Sequence, residues 1–361
     1  MELKFDMSKT YAIALEGGGA RGAYQVGAWR ALAENGVKIE AVAGSSVGAL
    51  NGAMMAMEDL GGAERLWNEM RFSRVMDVDD DTMQKLFGGK FLEIDIKHIS
   101  SSIKRIVKDG GFDVTPLREL IATSVDYERI KNSAIKLYIC THSVTDRKGL
   151  ELDAQTLDEN ELCDMLLASA YFPAFKHEKL GGKMYTDGGV SNVLPLSPLV
   201  SRGYKNIIAI RLYGLGVEKK IKIPKDTKVV EISPKRDLGS MLNFNAESCR
   251  RNYKLGYFDG MRLLYDLSGE KYYIDRTLSE KEAYEILKQA VAVKKDPEIS
   301  LRKLHEDILK LSKASGSKGD YYDVFIALLE KAAEDSKISD LSIYTDAGLL
   351  QKVLLKKSGI I

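Results

Sequence analysis

The chain has 361 residues, with 53 lysines and arginines against 52 aspartates and glutamates, so its length allows about two domains and its formal net charge is only +1. This balance provides no global field for nucleic acid, and a nucleic-acid partner is therefore not expected. The three cysteines form no CxxC pair, and the charged N-terminus leaves no room for the apolar core of a signal peptide, so we expect a cytoplasmic protein with reduced thiols and no metal site.

The first part of the chain predicts two consecutive strand–turn–helix units. The uncharged stretch 41–57 within them is too short, and too often interrupted by glycine, to span a bilayer. Strands that alternate with helices predict a parallel sheet that is buried on both faces. The units are a strand at 11–15, a glycine loop at 17–22 and a helix at 23–34, then a strand at 37–43, a turn at 44–48 and a helix at 49–57.

The remaining chain divides into an insertion, further strands and a helical end. Residues 64–111 mix apolar and charged positions without a strong strand, which predicts a helical, lid-like insertion over the sheet. We therefore expect an α/β domain over residues 8–268 and a helical C-terminal region over 269–361. The later strands are predicted at 135–141, 183–186, 205–212 and 228–232, and the later helices at 244–267, 279–293, 300–315 and 320–336.

The segment Gly44-Ser45-Ser46-Val47-Gly48 has the GxSxG form of a nucleophile elbow and lies between a strand and a helix, as that motif requires. Only Ser46 has glycines two positions away on both sides. Glycines at Gly44 and Gly48 let the strand and helix approach closely, and the helix N-terminus favours a developing anion. Ser46 is the candidate nucleophile, and a tight turn between packed elements is the alternative.

A serine needs a base to accept its proton, and the sequence leaves the choice of base open. His142 and His177 are candidates because a histidine near a strand end can reach a neighbouring site. Asp187-Gly188-Gly189 follows a short strand, and its two glycines permit a backbone that turns the carboxylate inward, although Asp-Gly is also common in exposed turns. The two remaining histidines, which have no setting that suggests a site, are His98 and His305.

The glycine loop can supply the donors for an oxyanion, because the amides of Gly17, Gly18 and Gly19 can approach a substrate without hindrance from side chains. Arg21 is expected either to anchor the loop or to contact a phosphate. A dinucleotide loop is the alternative, since these glycines and Gly22 also satisfy G-x-G-x-x-G after a strand. The acid that should close the next strand is missing, and no Walker phosphate loop is present.

Three motifs resemble, in their order and spacing, those of the patatin-like phospholipase family: the glycine loop at 17–22, the serine turn at 44–48 and Asp187-Gly188-Gly189. The stretch Ala168-Ser169 is similar to the one that precedes the aspartate in that family, whereas Asn192 falls one place earlier than its usual asparagine. The resemblance implies a three-layer α/β/α domain with a mainly parallel sheet, and a Ser46–Asp187 dyad that cleaves acyl esters through an acyl-enzyme without metal or cofactor. Asp187 would act as the base either because burial raises its pKa or because the glycine-loop donors make a weak base sufficient.

The resemblance implies a phospholipid or other acyl-ester lipid as substrate, with transient peripheral contact at the inner membrane surface. Two alternatives keep the same fold: an acyltransferase or thioesterase, and a lipid-binding scaffold without catalysis. Lysines in the last helix, Lys352, Lys356 and Lys357, lie beside apolar residues and are candidates for contact with an anionic membrane. The sequence indicates no oligomeric state.

Overall fold

The computed structural model describes residues 1–87, 111–292, 306 and 320–358. Contacts group residues 6–260 into one compact unit, which we call the α/β unit, and residues 1–5 with 261–361 into a second, the C-terminal unit. Residues 88–110 of the expected lid-like insertion, and all of the helix expected at 300–315 except residue 306, lie outside the described residues. Among the described residues, no helix has the length and apolar character needed to cross a membrane.

The α/β unit alternates strands with helices at its start and later contains two pairs of consecutive strands, β3–β4 and β6–β7. Its strands are β1 (Thr10–Leu15), β2 (Lys38–Ser45), β3 (Lys136–Ser143), β4 (Lys148–Asp153), β5 (Tyr185–Thr186), β6 (Asn206–Ile210) and β7 (Lys228–Ile232). Its helices are α1 (Ala23–Glu34), α2 (Val47–Ala56), α3 (Leu60–Asn68), α4 (Asp80–Phe87), α5 (Thr115–Ser124), α6 (Tyr127–Lys131), α7 (Glu159–Ser169), α8 (Gly189–Asn192), α9 (Ser197–Ser201) and α10 (Ala246–Tyr265), the last ending in the C-terminal unit.

The strands form one sheet in the order β4-β3-β2-β1-β6-β7, with β5 paired to β3. The pairs β1–β2, β1–β6, β2–β3 and β6–β7 are parallel, and only β4 and β5 run antiparallel to β3. This arrangement confirms the expected α/β fold with a mainly parallel central sheet flanked by helices. The strand β4 was absent from the sequence prediction because its residues are only half-buried at the sheet edge.

Helices cover both faces of the sheet because its strands are apolar on both sides. On one face, Ala12 and Ala14 of β1 pack in one buried cluster with Leu199 of α9. On the other face, Gly52 of α2 lies against Val42, and an added Cβ at Gly52 would be only 3.1 Å from the Val42 side chain. The small residues bring the layers together and place the carboxyl ends of β1 and β2 beside the N-terminus of α2.

The C-terminal unit contains the helices α11 (Glu280–Ala292), α12 (Tyr321–Asp335) and α13 (Asp346–Lys357) and two parallel three-residue strands, β8 (Tyr273–Asp275) and β9 (Ile343–Thr345). The helical prediction is confirmed, but these two strands were not predicted. Aromatic and aliphatic side chains form the core of this unit, among them Tyr322, Phe325, Leu329, Leu349 and Val353.

A buried carboxylate joins the elements of this second core. Asp346 is 0% exposed and accepts hydrogen bonds from the backbone amides of Thr277, Leu278 and Ala347, from the Thr277 hydroxyl and from the Tyr322 hydroxyl. Burial alone would raise the pKa of Asp346, but these hydrogen bonds outweigh burial and lower it. Asp346 therefore acts as an ionised anchor between α13, α12 and the segment before α11.

Candidate active site

A single residue, Ser46, connects β2 to α2, and its backbone has φ 55° and ψ −128°. A non-glycine residue at positive φ is strained and persists only when its surroundings fix it. Two close approaches do so here, since a Cβ on Gly44 would lie 2.2 Å from the Gly48 carbonyl oxygen and a Cβ on Gly48 would lie 2.3 Å from that of Leu15. The geometry is that of a nucleophile elbow, with the serine at the N-terminus of a helix.

A second serine fixes the elbow from the side. The Ser46 amide donates to Ser169 Oγ at 2.8 Å, and the Ser169 hydroxyl donates to the Cys140 carbonyl at 2.6 Å. Ser169 is fully buried at the end of α7, and Cys140 lies in β3. This relay joins three elements at Ser46, and the sequence carried no signal for it beyond the family likeness of the stretch around Ser169.

Asp187 follows β5 and lies beside the elbow. Its carboxylate accepts a hydrogen bond from the Gly189 amide at 2.7 Å and lies beside the Ser46 hydroxyl. Burial raises the pKa of Asp187 to about 6, although the Gly189 amide and the Ser46 hydroxyl both act to lower it. Of the two explanations that the sequence left open, burial of the carboxylate is thus the one with structural support, and Asp187 is not part of an ordinary exposed turn.

The glycine after Asp187 is required by packing. A Cβ on Gly188 would lie 2.2 Å from the Cys140 carbonyl oxygen, so only glycine allows this turn to lie against β3. The amide of Gly189 then faces the carboxylate, as the hydrogen bond shows. Gly188 therefore lets the turn that carries Asp187 lie against β3, and Gly189 supplies a hydrogen-bond donor to the Asp187 carboxylate.

The three glycines of the loop after β1 differ in their hydrogen bonds. The Gly17 amide donates to the Val193 carbonyl at 2.9 Å and is already occupied. No described residue accepts a hydrogen bond from the amides of Gly18 or Gly19. Gly19 has φ +55°, and a Cβ there would lie 2.3 Å from the Met241 carbonyl oxygen, so this position needs glycine. The two amides available to an oxyanion are those of Gly18 and Gly19.

Arg21 holds the glycine loop in place. Its guanidinium donates to the carbonyls of Gly239 at 2.8 Å, Leu212 at 3.0 Å and Tyr213 at 2.8 Å. The carboxylate of Glu16, which is 1% exposed, accepts from the amides of Leu212 at 2.6 Å and Tyr213 at 3.1 Å. Glu16 and Arg21, one on each side of the three glycines, thus both bind the backbone of Leu212 and Tyr213. Of its two expected roles, Arg21 has the contacts of an anchor, and Glu16 was not identified from the sequence.

The histidines occupy other positions. His177 donates through Nδ1 to the Tyr185 carbonyl at 2.8 Å, and the Nδ1 atom of His142 is buried without a partner in the described part of the chain. Neither ring is hydrogen-bonded to Ser46 there. His98 and His305 lie outside the described residues.

An apolar cavity opens directly over Ser46. Ser46, Asp187, Gly18 and Gly19 all line it, together with apolar side chains from several helices and the loops beside them, which include Leu50, Met54, Trp67, Ile121, Phe172 and Phe244. Such a lining favours a hydrocarbon chain, because apolar surface gains free energy when it leaves water. In the described ranges, no cluster of three or more acidic, histidine or cysteine side chains is arranged to hold a metal ion.

The elbow, the neighbouring acid and the glycine loop agree with the comparison to known families. Residues 13–200 match the family described as "Patatin-like phospholipase", which covers more than half of the chain. The chain therefore belongs to the patatin-like phospholipase family, and the resemblance seen in the sequence is confirmed.

Individual relatives are similar over the same region. The chain is 29% identical over 205 residues to patatin-like phospholipase domain-containing protein 7 of Rattus norvegicus and 33% identical to that of Mus musculus; each alignment covers 55% of this chain and 13% of the relative. It is 46% identical over 50 residues to lysophospholipase nte1 of Aspergillus terreus, covering 14% of this chain and 3% of the relative. The crystal structure of VipD from Legionella pneumophila is 13% identical, with a TM-score of 0.45 over 96% of this chain and 86% of that one.

Proposed function

We propose that the protein is a lipid acyl hydrolase in which Ser46 is the nucleophile and Asp187 the general base. The observation that carries this proposal is that the Ser46 hydroxyl lies beside a carboxylate whose pKa is raised to about 6, and that both groups line an apolar cavity. A base of that pKa is ionised at neutral pH and still accepts a proton more readily than an ordinary aspartate.

In the first half of the reaction, Ser46 Oγ attacks the ester carbonyl while its proton passes to Asp187. Negative charge develops on the carbonyl oxygen, and the amides of Gly18 and Gly19 can donate to it without losing an existing hydrogen bond. When the tetrahedral intermediate collapses, the alcohol leaves and takes the proton from Asp187. The acyl group then remains on Ser46 as an ester.

In the second half, water attacks this acyl ester and transfers a proton to Asp187. Collapse of the second intermediate releases the fatty acid, and the proton returns to Ser46 Oγ, so the enzyme is restored. No group other than the dyad, the loop amides and water is needed in these steps. The elbow and the relay through Ser169 keep the nucleophile fixed throughout.

The substrate class follows from the cavity and the family. An apolar cavity at the nucleophile suits an acyl chain, and names such as phospholipase and lysophospholipase among the relatives support a phospholipid or related ester. The chain spans 13% of the length of the mammalian relatives, so their activities come to this protein only as part of this proposal.

The nucleophile is tested by Ser46→Ala with Ser45→Ala as a matched control, because the two serines are adjacent and only Ser46 lines the cavity. We expect Ser46→Ala to lower hydrolysis of nitrophenyl butyrate by about 10³-fold or more and to abolish labelling by a fluorophosphonate probe. Ser45→Ala, which removes a fully buried hydroxyl without a partner in the described residues, should keep both. Full activity in Ser46→Ala would overturn the proposal.

A further inference from the structure

Four exposed apolar residues of the α/β unit are close neighbours, and one of them lines the cavity. Val190, Tyr213, Leu215 and Val217, which we call the rim, are four of the nine large hydrophobic residues exposed in the described chain, with exposures of 43, 55, 80 and 56%. Single exposed apolar residues are ordinary, but a group of neighbours marks an interaction surface.

The rim residues are neighbours because one segment is bonded to the turn that carries the acid. The Val217 amide donates to the Gly189 carbonyl at 2.8 Å, and the Val193 amide donates to the Val217 carbonyl at 2.8 Å. Val190 lies between these two partners in the chain. The same segment closes on the glycine loop, since a Cβ on Gly214 would lie 1.9 Å from the Gly17 carbonyl oxygen. The rim is therefore fixed to both catalytic loops.

The rim is also continuous with the cavity, because Leu215 is the most exposed of the four residues and lines the cavity at the same time. Leu215 thus connects the exposed rim to the cavity. A lipid surface on the rim would place acyl chains beside this residue, whereas a protein partner would cover it.

Positive charge accompanies the apolar residues. Lys219 and Lys220 follow the rim directly in the sequence and are exposed. Lys219 pairs with Glu151 at 2.8 Å, and Lys220 forms no ion pair with a described residue. Glu218, which lies between them and the rim, pairs with Arg211 at 2.6 Å, and Arg211 also lies 3.5 Å from the carboxylates of Glu16 and Glu231. Apolar side chains beside lysines are the composition that binds an anionic lipid surface.

We propose that the rim is the surface through which the α/β unit docks on an anionic phospholipid bilayer, with the cavity facing the lipid. This inference rests on the proposed lipid substrate. It differs from the expectation drawn from the sequence, which named the lysines of the last helix, α13, as candidates for membrane contact.

Vesicle sedimentation in a Ser46→Ala background tests the docking without consuming the lipid. We expect Val190→Ser/Val217→Ser to weaken binding to phosphatidylglycerol-containing vesicles by about tenfold or more, since two exposed valines lose their contact with hydrocarbon. The matched control is Leu354→Ser in α13, which is 59% exposed against 56% for Val217 and should bind as before. Unchanged thermal unfolding of each variant shows that the fold is retained.

A second vesicle experiment tests the contribution of the lysines. It compares Lys219→Glu/Lys220→Glu with Lys356→Glu/Lys357→Glu, because the two double variants change the net charge equally. The first pair should weaken anionic-vesicle binding about tenfold or more and the second should not. Vesicle binding that is lost only in the α13 variants, equal binding to pure phosphatidylcholine vesicles, or no binding by the parent protein would overturn the inference.

Hydrolysis of monomeric nitrophenyl butyrate by the protein with Ser46 intact separates the two proposals. Hydrolysis without vesicle binding would leave the proposed function standing and remove the docking surface. Vesicle binding at the rim without any ester hydrolysis would leave the docking surface standing and overturn the proposed function.

Discussion

Each of the two units contains an aspartate that is at least partly buried, and the two carboxylates differ in their hydrogen bonds. Asp346 in the C-terminal unit accepts five hydrogen bonds, and its pKa is lowered. Asp187 in the α/β unit accepts one from the Gly189 amide and lies beside the Ser46 hydroxyl, and burial raises its pKa to about 6. A well-bonded carboxylate holds a structure together, whereas one that is short of donors retains affinity for a proton.

The largest expected difference between the two aspartates lies in catalysis. Asp187→Asn removes the group that accepts the Ser46 proton and should lower kcat for nitrophenyl butyrate by about 10³-fold. Asp346→Asn, in the other unit, should keep kcat within about twofold by the same reasoning. A comparable loss in both variants would end the distinction between a catalytic and a structural carboxylate.

For stability we expect the opposite order, with the larger loss on substitution of Asp346. Asp346→Ala leaves the Tyr322 hydroxyl and several backbone amides without an acceptor, and we expect the opening of α12 to become easier by about 3 kcal/mol or more. Hydrogen exchange of the α12 amides measures this opening locally, which suits a chain of two units. Exchange rates equal to those of the parent would show that Asp346 is not an anchor.

The pH dependence of stability gives a third, smaller contrast. Folded Asp187 holds its proton to about pH 6, whereas the unfolded chain releases it near 3.8, so ionisation destabilises the folded state as pH rises through this window. Asp187→Asn lacks this penalty and should gain about 2 to 3 kcal/mol on the parent protein between pH 4 and pH 8. Unfolding curves of both proteins across this range measure the gain, and parallel curves would contradict the raised pKa.

The smallest effect concerns the rate at low pH. Because the base must be ionised, kcat/KM for a monomeric ester should fall below about pH 6 and be about tenfold lower at pH 5 than on the plateau. Ser45→Ala should give the same profile. A profile that is flat down to pH 4 would mean that the pKa of the base is not raised.

Local patterns in the sequence predict the parts of the fold and site that local geometry determines. The strand at 11–15 and the turn at 44–48 correspond to β1 and the elbow, because apolar runs and flanking glycines act over a few residues. In contrast, β8 and β9 have three residues each, and their pairing joins distant parts of the chain. Such strands carry too little periodicity to be recognised in a sequence.

The same limit applies to the site. Ser46 is recognisable from its neighbours, but the difference between Gly17 and Gly18 depends on a hydrogen bond to Val193, far along the chain. Glu16 and Ser169 act through equally distant partners. The roles of Ser46 and Asp187 stay predictions until the variants are measured, while their proximity is a property of the fold.

The strand order has a consequence for how the protein is made. β1 lies inside the sheet, and its partner β6 begins at Asn206, so one edge of β1 stays unpaired while roughly 190 residues are synthesised, which takes on the order of 10 to 40 seconds. During that time an almost wholly apolar strand has an open edge, which is a template for aggregation. A chain that stops before Asn206 should therefore aggregate, and the yield of folded protein should depend on chaperones that protect the nascent sheet.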